Sequence, residues 1–160
     1  MGGLSATQVR CFTATEFSEL TSTQIGSLSS TQVGALSATN FVNLSSTEIG
    51  TLSATQLHGV TTTQVGALSA TNFGDLTATQ VGGLSSTQIG ALSTTVISTL
   101  TTTEVGTLAA TQIPGLTAAQ LTNLSTTNIS ALSQTQADAL TATQVQGLSA
   151  TQITAYLAVS

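Results

Sequence analysis

Leu44-Ser45-Ser46-Thr47-Glu48-Ile49-Gly50-Thr51 is the stretch on which the reading of this chain turns. Ser45 followed three residues later by Glu48 is a capping box. The hydroxyl accepts from the backbone amide of the third helical residue, and the carboxylate reaches back to the amide of the serine. Leu44 and Ile49 then occupy the two positions that close a hydrophobic staple over the first turn. Gly50 is suited to ending it. The same arrangement recurs as Thr101-Thr102-Thr103-Glu104 between Leu100 and Val105. A helix of one or two turns is unstable alone, so neighbours must hold it.

Those neighbours are copies of itself. From Leu4, a step of eight meets Phe12, Leu20, Leu28 and a large apolar residue at every further step to Leu148, giving nineteen octads over residues 4–155 without insertion or deletion. The consensus is L-S/T-A/S/T-T-Q-V/I-G-A. Position two is Ser or Thr except at Ala109, and position four is Thr except at Ala119. Position five is Gln in 12 octads, Glu in three, Asn in three and Val96 once. Position six is large and apolar except at Ala137, whereas positions seven and eight vary and hold Arg10, Cys11, His58, Asp75, Pro114 and Asp138. Invariant apolar positions read as core, and the variable, Gly-rich ones as solvent-facing turn.

One continuous helix is excluded, because eight residues at about 100° each drift by about 80° per octad and carry the apolar residues around the axis. A single strand is excluded too, since apolar spacings of five and three alternate faces. Each octad therefore contains a turn, and the expected fold is a repeat solenoid. Capping favours a superhelix of one-turn helices, one per octad. The alternative is a β-solenoid with two or more octads per coil, in which Thr and Val of T-Q-V point inward and Thr and Gln form ladders. The nonapeptide Val-Gly-Ala-Leu-Ser-Ala-Thr-Asn-Phe at 33–41 returns at 65–73. That offset of 32 points to four octads per coil, although a recent duplication leaves the same trace. Capping does not require the position-four threonine, whose hydroxyl is expected to bond back to a preceding carbonyl and fix the bend between units. Residues 1–3 read as a leader, 4–155 as one solenoid and 156–160 as a tail in which Tyr156 ends the repeat.

Composition narrows function by exclusion. Charged residues are 4% of the chain: Arg10 is its single Lys or Arg, set against six Asp and Glu, for a net charge of −5. One arginine cannot neutralise a row of phosphates, so no nucleic-acid partner is expected. Nor does any apolar run approach the ~20 residues of a membrane span, and no membrane insertion is expected. A hydrophobic share of 40% argues against disorder. The N-terminal Met-Gly-Gly-Leu-Ser has no signal-peptide character.

Runs such as Leu76-Thr77-Ala78-Thr79-Gln80-Val81-Gly82-Gly83-Leu84 resemble the octapeptide L-[ST]-x-x-Q-[IV]-x-x arrays of large bacterial secreted or surface proteins. The resemblance covers residues 4–155. It implies a stalk or spacer segment, an extracellular or cell-surface location, and no catalytic residues. A weaker similarity links the chain to the octads of ice-nucleation proteins, from which it departs by placing Leu at their Tyr and Val or Ile at their second Thr.

Individual residues add little chemistry. His58 beside Gly59 reads as a solvated turn residue, without the carboxylate and nucleophile that a catalytic base wants. Cys11, the only cysteine, excludes an intrachain disulfide. Glu16, Glu48 and Glu104 replace Gln at the capping position, which explains them without metal chemistry, although Glu16 and Glu48 would stack if four octads made a coil. Asn43-Leu-Ser, Asn123-Leu-Ser and Asn128-Ile-Ser match the glycosylation acceptor, a triplet that a Ser/Thr-rich chain generates by chance. No catalytic, cofactor-binding or metal site is expected, and no cofactor. The expected function is a non-enzymatic spacer, stalk or self-associating filament unit of a surface or secreted protein, with self-association or neighbouring repeats as partners. The alternative is a binding module presenting its Ser/Thr/Gln face to an extended ligand such as ice or a polysaccharide.

Overall fold

The computed structural model describes residues 3–160, so Met1 and Gly2 of the expected leader lie outside the described residues. Among the described residues there are 18 α-helices of five to eight residues, one 3-10 turn at Ile113–Gly115 and no strand. The octads therefore form helices, and the β-solenoid alternative fails. The local reason is the cap. Fifteen helices close a full capping box. In helix Ser46–Thr51, Glu48 N–H donates to Ser45 Oγ at 3.4 Å while Ser45 N–H donates to Glu48 Oε2 at 2.8 Å.

The irregular octads follow the same logic. Where Ala109 replaces the capping hydroxyl and Pro114 removes an amide, the α-helix gives way to the 3-10 turn Ile113–Gly115, which has no side-chain cap. At the C-terminal end, helix Ala150–Leu157 runs on for eight residues through Tyr156, where the repeat stops.

The chain divides into two units, Met1–Leu84 and Ser85–Ser160. In the first unit, helix Ala6–Arg10 packs on Ser30–Ala35, which packs on Ala54–His58, which in turn meets Ala78–Gly82. In the second, Thr94–Thr99 packs on Ala118–Asn123 and Thr126–Ser130 on Ala150–Leu157. Every one of these pairs is three octads apart, so each unit is a helical solenoid layered at three octads rather than the four suggested by the 32-residue echo. Three octads bring six apolar side chains to the axis of each layer. They fill it: the internal void among Phe41, Leu57 and Val65 is only about 10 Å³, no larger than one water needs. The echo between 33–41 and 65–73 is a similarity of sequence without a matching layer.

Core residues are those at positions one and six, from Val9 at 0% and Ile25 at 1% exposed to Ile129 at 0%. Backbone accounting is equally regular. The position-six amide donates to the position-two carbonyl, as Val33 to Ser29 at 2.9 Å, and the next position-one amide donates to position six, as Leu36 to Val33 at 3.2 Å.

The position-seven glycines close helices Ser22–Gly26, Thr62–Gly66, Ala70–Gly74 and Ala78–Gly82. No described glycine has a positive φ. At position eight, Gly59 and Gly115 supply room: a Cβ at Gly59 would strike the Ser30 carbonyl of the preceding layer, and one at Gly115 the Ser86 carbonyl. Close approach of backbones is the reason for glycine there.

Candidate functional site: the glutamine ladder and the threonine face

Two recurrent polar positions remain once the caps are assigned, and they behave in opposite ways. Position five turns inward. From the fourth octad onward its ten glutamines are all buried, with Gln64 and Gln120 each only 1% exposed. Gln64 shows why. Its Oε1 accepts from Thr61 N–H at 2.7 Å, closing the capping box, while its Nε2 donates to the carbonyls of Val33 and Leu36, each at 2.9 Å. One carboxamide therefore caps its own helix and staples that helix to the layer beneath. Gln80 does the same to Ile49 and Leu52, Gln120 to Ile89 and Leu92, Gln136 to Val105 and Leu108, Gln144 to Ile113 and Leu116, and Gln152 to Leu121 and Leu124. In these six the reach is 28 and 31 residues back along the chain, whereas Gln56 reaches Leu28 and Gly26, 28 and 30 back.

Capping alone had accounted for this position in the sequence. The signal for the second role was the excess of Gln over Glu, 12 against three. A carboxylate caps as well as a carboxamide does, but only the carboxamide has an N–H to donate. Asparagine, one methylene shorter, divides the tasks unevenly: Asn72 closes the box and reaches Val42 O at 3.2 Å. Asn40 and Asn128 keep the interlayer bonds, to Phe12 O at 2.9 Å and Leu100 O at 2.8 Å, and their helices lack the full box. Gln8 and Gln24, in the first three octads, are exposed and make only the capping bonds.

Position four turns outward. All 18 of its threonines are exposed. Their hydroxyls make no hydrogen bond to the preceding carbonyls, contrary to the expected bend-fixing role; the single contact is Thr151 with Ser149 Oγ at 3.2 Å. The geometric reason is their place at the second helical residue, on the face turned away from the layer. Nothing in the packing requires threonine there.

The isolated candidates stay isolated. His58 is exposed at the end of helix Ala54–His58, and Cys11 is exposed at the end of Ala6–Arg10. Among the described residues, no three His, Cys, Asp or Glu side chains gather into a group able to hold a metal ion. Glu16 is fully exposed, and the Thr13 backbone amide, then the Thr13 hydroxyl, hold its carboxyl below the usual value. Of the three glycosylation triplets, Asn128 is buried and bonded to Leu100, Asn123 donates to Ala119 O at 2.7 Å, and Asn43 is exposed at the end of helix Ala38–Val42. No described helix is long and apolar enough to cross a membrane.

The class that this arrangement defines is a helical repeat solenoid. Comparison with known proteins gives no matching family model, no similar curated protein and no similar solved structure.

Proposed function

We propose that the chain is a non-enzymatic structural repeat module, a spacer, stalk or self-associating unit of a surface or secreted protein. The observation that carries this reading is where the recurrent polar groups go. Hydroxyls at position two and carboxamides at position five are consumed in caps and interlayer staples. Within the octads, the titratable side chains stand either at the capping position, as Glu16, Glu48 and Glu104, or at the variable positions seven and eight. Size-exclusion chromatography with light scattering tests it: an extended or self-associated particle is expected, and a strictly monomeric compact sphere refutes it.

A second reading rests on the threonine face. Exposed threonines that the packing does not use recur every three octads along each unit, as Thr31, Thr55 and Thr79 do, a repeat of hydroxyl and methyl groups suited to an extended, periodic ligand such as ice or a polysaccharide. Thermal hysteresis with ice-crystal shaping would support the ice version, and its absence would remove it. Retention on insoluble polysaccharide tests the other.

A further inference from the structure

Glu48 breaks the ladder inside the first unit. Its Oε2 accepts from Ser45 N–H and from Ser45 Oγ, both at 2.8 Å, so the capping half of the role is intact. The stapling half is missing, because a carboxylate has no proton to give. The register that takes Gln64 to Leu36 and Val33 takes residue 48 to Leu20 and Phe17. The Leu20 carbonyl receives no hydrogen bond from the described residues, whereas the Phe17 carbonyl keeps that of Leu20 N–H at 3.1 Å. There is room at the same junction. A cleft of about 230 Å³ opens beside Glu48, lined also by Phe17, Ser18 and Asn43.

We propose that Glu48 is a pH-operated latch between layers: ionised, it leaves the junction with Leu20 and Phe17 open, and as the neutral acid it closes it. Protonation places a hydrogen on Oε1, which donates to the Leu20 carbonyl, and Oε2 goes on accepting from Ser45. The neutral acid thus reproduces the cap and one of the two interlayer bonds of a glutamine, having a single proton to give. The groups around it are few. Helix Ser22–Gly26, packed beneath, has no titratable residue. Helix Ala14–Ser18 carries Glu16 and ends at Glu19, both exposed; helix Ala38–Val42 has none and ends at Asn43; helix Ala70–Gly74, one layer on, ends at the half-buried Asp75. The inference rests on the layer geometry and is independent of the spacer and ligand readings.

The test compares the full chain with its Glu48→Gln and Glu16→Gln variants in thermal denaturation between pH 7 and pH 3. At pH 7, Glu48→Gln is expected to melt several degrees above wild type, and the gap is expected to narrow markedly by pH 3. Glu16 sits in the first octads with the same cap and no described staple, so Glu16→Gln is expected to show no such gain. Carbon-13 NMR of the Leu20 carbonyl supplies a local readout, since its shift is expected to change between pH 7 and pH 3 in wild type and to stay constant in Glu48→Gln. A Glu48→Gln gap that is absent or independent of pH, or a Leu20 carbonyl indifferent to Glu48, overturns the proposal.

Discussion

Gln64→Ala and Gln24→Ala make a matched pair that isolates the staple from the cap. Both glutamines follow a threonine cap with nearly the same bonds: Oε1 accepts from the threonine amide at 2.7 and 2.8 Å, and from the threonine hydroxyl at 3.0 Å in each. They differ in the layer beneath. Gln24 is exposed, so its loss costs about 0.5–1 kcal/mol, the usual scale for a cap. Gln64→Ala loses that and two buried bonds. The Val33 carbonyl retains Leu36 N–H at 3.2 Å and loses only the net worth of one bond, about 0.5–1.5 kcal/mol. The Leu36 carbonyl accepts from nothing else and is left unsatisfied, at about 1–3 kcal/mol. The difference between the variants should therefore be about 2–4 kcal/mol, which for a unit of this size lowers the melting midpoint by on the order of 10 °C or more. Thermal unfolding followed by far-UV circular dichroism measures it. Gln64→Glu sharpens the test, because it keeps the cap and removes only the donor; it should fall well below wild type at neutral pH. Equal losses for Gln64→Ala and Gln24→Ala would refute the dual role.

Further expectations concern backbone approach, capping and charge. Gly59→Ala would drive a Cβ into the Ser30 carbonyl and should destabilise by about 1–3 kcal/mol, whereas Gly50→Ala meets nothing and should stabilise its helix by about 0.5–1 kcal/mol in the same melting experiment. Opposite signs are the point of the comparison; the same sign for both would count against close layer approach. Ala109→Ser should restore a hydroxyl to cap the Gln112 amide and gain about 0.5–1 kcal/mol, measured by urea denaturation, with Pro114 still limiting the helix. Because the Thr13 amide and hydroxyl hold the Glu16 carboxyl below its ordinary 4.5, Glu16 contributes stability above that pH and loses it as pH falls through the depressed value. NMR titration should therefore find Glu16 titrating below 4.5 and returning towards it in Thr13→Ala.

How much was legible follows from the range of each interaction. The helices, their caps and their buried faces could be read from Ser45, Glu48, Leu44 and Ile49 because a capping box and a staple join residues within five or six positions of one another. The weakness at Ala109 and Pro114 was equally visible, being a missing hydroxyl and a missing amide. The close approach at Gly59 was not legible, because Gly59 answers to Ser30, twenty-nine residues away.

By itself, then, the sequence determined the unit: an eight-residue, self-capped turn of helix with one apolar side, repeated too regularly to fold as anything but a stack. Only the tertiary structure decided how the stack is layered, at three octads, and with that the second task of the glutamines and the idleness of the threonines. The reason is distance along the chain. A side chain's bond to its own cap is local and leaves a spacing to be read, whereas Gln64 finds Leu36 only after the intervening residues have closed a layer.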